Sequence, residues 1–291
     1  MLNRLSTPVD PTTLASHLMS VAQGSRGSAP DDVPWALAAT ALVDPSIQER
    51  LAPLLLRRMR DLIDVDAANA GPGPGPGSAY DRRMAWRYWA LGRAAVGMTG
   101  TIGDEAAHLA DHFVGCRPVD PLAIAMMAAG ADSLLLHQPS SLESMTVLRR
   151  SAPLLHRPRP TPDWCWPEPE LNPIDALLPL ALVAAGDRLG EGALVRSGLV
   201  LLDWRLGQNG RSGDAVHELA MSIDACARAG ALTGDGKWER RAHALAAAVP
   251  VEVTLRTSDL CAWHLAARQL DEFCCAPVGV TTATGLVTTR R

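Results

Sequence analysis

The sequence predicts an all-α protein in which about six helical hairpins form an (α/α)6 toroid, with an inner ring of helices wrapped by an outer ring. Apolar residues recur with a 3.6-residue period in roughly twelve segments, and no segment shows the two-residue alternation of a half-buried strand. Two kinds of segment also alternate along the chain. Amphipathic segments suit an outer layer, whereas segments that are apolar all round must be surrounded by protein and suit an inner layer.

The helical period defines each segment, and Gly or Pro residues separate the segments. Leu51 and Leu55 lie on one face of the amphipathic segment 46–63, whereas the segment 176–189 is apolar on nearly every side. The predicted helices are 11–23, 34–43, 46–63, 82–97, 104–114, 119–136, 140–156, 174–189, 191–207, 214–230, 236–249 and 258–275.

Residues 1–276 are expected to form a single domain, because an all-helical toroid buries one core at a length of 291 residues. The repeated Gly-Pro stretch at 71–77 has no side chains to pack, which predicts a mobile surface loop within this domain. The segment 277–291 has no helical period and is expected to be an irregular tail.

Charge and hydropathy exclude several kinds of partner. The net charge of −4 is too small to supply the cationic field that nucleic acids or anionic membranes require. The chain has no apolar run of the roughly 20 residues that span a bilayer, and Met1 to Pro30 lacks the plan of a secretory signal. A cytoplasmic location is therefore expected, with neither nucleic acid nor membrane as a partner.

Motifs for metals and cofactors are absent from the sequence. The six cysteines form no C-x-x-C pair and are expected to be reduced, and the histidines form no H-E-x-x-H motif. Neither the adjacent Cys274 and Cys275 nor the pair His108 and His112 has further ligands at metal-binding spacing. Phosphate-binding glycine loops and a G-x-S-x-G nucleophile elbow are also missing. We therefore expect neither a metal nor a cofactor.

Motifs at the starts of predicted inner helices resemble those of a known family. The longest is WCWPEPELNPIDALLPLAL at 164–182, and the second extends from Glu218 through TGD at 233–235 to Trp238. Further similar elements are DDVPWAL at 31–37 and WALG at 89–92. Together they resemble the bacterial six-hairpin (α/α)6 toroid domain that occurs beside or fused to glycosyltransferases.

The resemblance implies a carbohydrate-associated, glycosidase-like or glycosyltransferase-associated protein that binds or processes a glycan in its central cleft. Several polar positions of the family pattern differ here, because Pro173 and Asp175 replace its Tyr and Asn, and 214–216 replaces its Gln-Gln-Pro. A second function is therefore also open: a catalytically degenerate toroid that acts as a binding or scaffold module for a glycosyltransferase or another partner.

Two carboxyl groups are the first requirement for cleaving a glycosidic bond, one to protonate the leaving oxygen and one to activate water or to attack. Glu168 and Glu218 are the best candidates for catalytic residues, because both lie at or just before the start of a predicted inner helix. A carboxylate at a helix start also interacts favourably with the helix dipole, so a purely structural role remains the alternative.

Aromatic rings and further carboxylates near these helix starts are candidates for substrate binding. The flat indole rings of tryptophan can stack on the apolar face of a sugar, although tryptophan more often fills gaps between large helices. The packing role is the one expected for Trp86, Trp89, Trp204, Trp238 and Trp263. Asp residues at helix starts can bind hydroxyl groups, and they can also serve as helix caps. The candidate substrate-binding residues are Trp164, Trp166, Asp31, Asp32 and Asp259.

Overall fold

The computed structural model describes residues 11–24, 32–69, 79–98, 100–155, 166, 175–208, 215–247, 261 and 265. The regular elements in these ranges are eleven α-helices and three short 3-10 helices, with no strand among them. The prediction of an all-α protein is therefore confirmed for the described part of the chain.

The helices follow the predicted segments closely. They are α1 (Pro11–Gln23), α2 (Asp32–Ala39), α3 (Pro45–Asn69), α4 (Ala79–Gly97), α5 (Thr101–Ala110), α6 (Pro121–His137), α7 (Leu142–Ser151), α8 (Leu177–Leu189), α9 (Gly192–Gly207), α10 (Ala215–Thr233) and α11 (Gly236–Ala247). The 3-10 helices Thr40–Leu42, Asp111–Phe113 and Ala152–Leu154 extend α2, α5 and α7.

The largest difference from the predicted boundaries is in α3, which ends at Asn69 instead of residue 63. Its start has a clear cause, because Asp44 Oδ1 accepts a hydrogen bond from Ser46 N at 2.9 Å and Pro45 occupies the first helical position. Beyond residue 63 the apolar period fades, but Asp66 forms an ion pair of 2.7 Å with the buried Arg87 of α4. This tertiary contact stabilises the last turns of α3, and helical periodicity could not predict it.

The even-numbered helices from α2 to α10 form an inner layer, in which each helix packs against the next even-numbered helix. In α6 every residue from Leu122 to Leu135 is buried, and in α8 every residue from Leu177 to Gly186 is buried. From α3 to α11, the odd-numbered helices pack beside the even-numbered helix that precedes each of them and expose their polar faces. The predicted alternation of amphipathic and apolar segments corresponds to these two layers.

Three predicted features lie outside the described residues. They are the Gly-Pro stretch at 71–77, the tail at 277–291 and most of the twelfth helical segment at 258–275. Of that segment, the structure describes only Cys261 and Leu265, both of which are buried. No helix in the described ranges has both the length and the apolar character needed to cross a bilayer.

Two glycines let α4 and α6 approach each other closely. A Cβ atom on Gly92 would lie 2.6 Å from the carbonyl oxygen of Gly130. A Cβ atom on Gly130 would in turn lie 3.0 Å from Cα of Trp89. Because these neighbouring atoms belong to the backbone, they cannot move aside as a flexible side chain would. The two helices therefore require glycine at both positions.

Gly92→Ala is expected to lower the free energy of unfolding by about 1–3 kcal/mol, because the added methyl group forces α4 and α6 apart. Urea unfolding followed by circular dichroism measures the change. Gly207→Ala is the matched control, since this glycine is also helical but a Cβ there would meet no atom within 4 Å. Equal stability of the two variants would contradict the close packing of α4 and α6.

Candidate functional site

The sequence-predicted site residues are only partly within the described chain. Asp32 is the first residue of α2, and Glu218 lies in the first turn of α10. Because one odd-numbered helix returns the chain between successive even-numbered helices, these two starts belong to the same end of the inner layer. Glu168, Trp164, Asp31 and Asp259 lie outside the described residues. The catalytic pairing of Glu168 with Glu218 therefore stays a prediction.

Trp166 is buried in this structure, with 5% of its surface exposed. Its indole stacks on that of Trp204 in α9, with ring centroids 5.8 Å apart and an interplanar angle of 15°. This contact gives Trp166 a packing role, because the stacked face is not accessible to a sugar ring. Its predicted role in substrate binding has no support from this geometry and stays a prediction.

A charged pair lies at the starts of α4 and α6, the same end of the inner layer as Asp32 and Glu218. Arg82 donates to both carboxylate oxygens of Asp120, at 3.0 Å from Nε and 2.6 Å from Nη2. Asp120 also caps α6 by accepting a hydrogen bond of 2.9 Å from Ala123 N. The carboxylate is nearly buried and the guanidinium is half exposed. Bidentate geometry of this kind fixes the orientation of the guanidinium plane.

Three tryptophans form a cluster between α2 and α4. Trp86 stacks on Trp89 with centroids 4.6 Å apart and an interplanar angle of 13°. Trp35 of α2 contacts both rings edge-on, with its centroid 4.8 Å from that of Trp86 and 5.4 Å from that of Trp89. Trp35 and Trp89 are buried, whereas Trp86 is only partly buried.

Charged side chains also connect the inner helices toward the opposite end, where these helices finish. The carboxylate of Asp132 in α6 is almost fully buried and lies 2.6 Å from Nε of Arg188 in α8. Nη2 of Arg228 in α10 lies 3.4 Å from Asp132 and 2.9 Å from Asp187 of α8. A buried carboxylate is tolerated only when cations and hydrogen-bond donors surround it, and here three helices supply this environment.

A further ion pair links two helices that are not neighbours. Nη1 of Arg93 in α4 lies 3.6 Å from Oδ1 of Asp224 in α10, although α6 and α8 come between these helices in the inner layer. Both side chains are largely buried. With the network around Asp132, this pair gives three arginines and three aspartates, so the formal charges of the group balance.

Burial favours the neutral form of several thiol and phenol groups outside these ion pairs. Burial raises the pKa of the Cys226 thiol to about 12, and burial also raises the pKa of Cys116 above its ordinary value. Thiolates at these positions are therefore scarce at neutral pH, which argues against nucleophilic cysteine chemistry there. Burial raises the pKa of Tyr80 at the start of α4 as well, so its phenol keeps its proton and can donate a hydrogen bond.

Sequence reasoning missed the charged residues of the inner layer and gave Trp86 only a packing role. A signal was available, because Arg93, Asp132 and Asp224 interrupt segments that are otherwise largely apolar. A charge in such a segment requires a partner, but the sequence does not reveal which distant helix supplies it.

No group of three or more His, Cys, Asp or Glu residues in the described chain could hold a metal ion. Comparison of the chain with protein-family profiles, curated proteins and solved structures finds no match. Any function must therefore be inferred from the sequence and from the geometry described above.

Asp132→Asn is expected to lower the free energy of unfolding by about 2–4 kcal/mol, because it leaves two partly buried guanidinium groups with less counter-charge. The matched control is Glu105→Gln, since Glu105 and Arg60 form an ion pair of 3.2 Å in which both side chains are almost half exposed. This control should change stability by less than about 0.5 kcal/mol. Urea unfolding measures both variants, and an effect of Asp132→Asn as small as that of the control would contradict the role of the buried network.

Proposed function

We propose that the chain forms an (α/α)6 toroid that binds a glycan at the end where the inner helices begin. The observation that carries this proposal is the contact of 3.6 Å between Arg93 of α4 and Asp224 of α10. Packed helices lie 8–10 Å apart, so a flat row would separate its first and fourth helices by about 24–30 Å. No arginine and aspartate span that distance. A curved inner layer brings the two side chains together, and curvature is what an inner ring requires.

The two ends of the proposed toroid differ in a way that favours one for the ligand. Toward the ends of the inner helices, charged side chains of α6, α8 and α10 are paired with one another through Asp132 and Asp187. The starts of the inner helices carry Asp32, Glu218 and the half-exposed Arg82. Helix starts also carry partial positive charge that stabilises carboxylates. We therefore assign the glycan to the end where the helices start.

The proposed chemistry is hydrolysis of a glycosidic bond by a pair of carboxyl groups. In this proposal Glu168 and Glu218 flank the scissile bond, one as general acid and the other as base or nucleophile. Carboxyl groups about 5–5.5 Å apart would give retention of anomeric configuration, and a separation of about 6.5–9.5 Å would give inversion. The resemblance of residues 164–182 and of the stretch that begins at Glu218 to the toroid family supports this assignment.

Glu168→Gln and Glu218→Gln should each reduce oligosaccharide hydrolysis by at least about a hundredfold, because each removes one of two required carboxyl groups. Release of reducing ends from defined neutral oligosaccharides measures the rate. Glu239→Gln is the matched control, since Glu239 is an exposed glutamate in the first turn of the outer helix α11. This control should retain full activity.

If the native protein binds oligosaccharides without cleaving them, the catalytic part of the proposal is wrong and the binding part stands. A protein that neither binds nor cleaves them would contradict both parts. Circular dichroism of each variant establishes that any loss of activity does not arise from unfolding.

The second candidate function is a scaffold module without glycan chemistry. It is favoured by the buried stack of Trp166 on Trp204 and by the ion pairs of the inner layer, whose formal charges balance without a ligand. In that case a glycosyltransferase encoded beside this chain should co-elute with it in gel filtration, and no oligosaccharide should bind to the isolated protein.

A further inference from the structure

The tryptophan cluster of α2 and α4 leaves one aromatic face uncovered by the other two rings. The centroid of Trp35 is nearly equidistant from those of Trp86 and Trp89, at 4.8 Å and 5.4 Å. A ring lying on the outer face of Trp86 would instead be about 9.4 Å from Trp89, given ring-to-ring distances of 4.6 Å and 4.8 Å along one line. Trp35 therefore lies beside the stacked pair and does not cover the outer face of Trp86.

Trp86 differs from its two neighbours in exposure. Trp35 and Trp89 are 5% and 1% exposed, whereas Trp86 is only partly buried. Contacts with the two buried rings limit the rotamers open to Trp86, so stacking of a ligand on this ring would cost little side-chain entropy. To bind a ligand by stacking, an indole needs one face that other rings leave uncovered and neighbours that fix its position. Trp86 has such a face, and Trp35 and Trp89 are such neighbours.

Charged residues share the helix sides that carry the tryptophan cluster. Arg82 and Arg93 share a side of α4 with Trp86, since they are four residues before it and seven residues after it. Arg82 holds Asp120 at the start of α6, and Arg93 pairs with Asp224 of α10. Asp32 precedes Trp35 by three residues and thus lies on the same side of α2.

A flat apolar surface among hydrogen-bonding groups matches the chemistry of a sugar, whose ring has one apolar face and a rim of hydroxyl groups. A lipid chain would remove water from the exposed edges of these ion pairs without offering hydrogen bonds in return, and an anion would gain nothing from the indole. We infer that the outer face of Trp86 is a stacking platform for one neutral sugar ring. This inference rests on the proposed glycan-binding function and adds a subsite that does not depend on Glu168 or Glu218.

The test measures binding of neutral oligosaccharides of glucose, xylose, mannose and N-acetylglucosamine to the full chain by isothermal titration calorimetry. Trp86→Leu keeps an apolar side chain but removes the flat face, and it should weaken binding about fivefold to tenfold. Trp86→Phe keeps an aromatic face and should restore most of the affinity. The difference between the emission spectra of the native protein and Trp86→Phe gives the fluorescence of Trp86. This emission should shift when the sugar binds, which a purely structural role would not produce.

Unaltered affinity in Trp86→Leu would overturn this inference and leave the proposed function standing. Absence of oligosaccharide binding by the native protein would overturn both. Binding of an aromatic peptide through Trp86, with no binding of sugars, would also overturn the inference. Should Trp86→Leu fail to fold, as judged by its thermal unfolding, the affinity and fluorescence of Trp86→Phe decide the result.

Discussion

The structure depends on one constraint: charges buried within the inner layer must find their counter-charges on other inner helices. Asp132 obtains its partners from α8 and α10, and Arg93 obtains Asp224 from α10 across two intervening helices. A buried pair contributes modestly when intact, but removal of one member leaves an uncompensated charge that costs several kcal/mol. The main effect of the ion pairs is therefore to disfavour other arrangements of the inner helices. In a flat inner layer, for example, Arg93 and Asp224 would be too far apart to pair.

Close packing and ion pairing involve residues one or two positions apart on the same helices. Gly92 places α4 against the backbone of α6, and the next residue, Arg93, turns about 100° around the helix axis to reach α10. In α6, Gly130 receives α4 while Asp132 faces α8 and α10. The small residues thus set the spacing between neighbouring helices, and the charged residues set the direction in which the row of helices turns. That curvature brings the helix starts, which share one end of the inner layer, closer to one another.

Sequence reasoning predicted the secondary structure well because helix formation and burial leave a local, periodic pattern. The segment near α8 was recognised from its apolar character on nearly every side, and α8 is buried from Leu177 to Gly186. The end of α3 was missed because Asp66 pairs with Arg87, a contact that no local pattern encodes. Trp166 had been singled out for sugar binding by its motif, yet it stacks on Trp204, whereas the more exposed Trp86 had been assigned to packing by residue type alone. Burial of an individual indole depends on distant helices, so its role could not be predicted from spacing.

The central claim is that the inner layer curves until α4 and α10 face each other, and a double-mutant cycle on Arg93 and Asp224 tests it most directly. The cycle compares the unfolding free energies of the native protein, Arg93→Met, Asp224→Asn and the double variant. Because the two charged groups lie 3.6 Å apart and are largely buried, the curved arrangement predicts a coupling energy of about 1 kcal/mol or more. Single changes that add to within about 0.3 kcal/mol would mean that the two side chains do not interact, and this would contradict the curved inner layer.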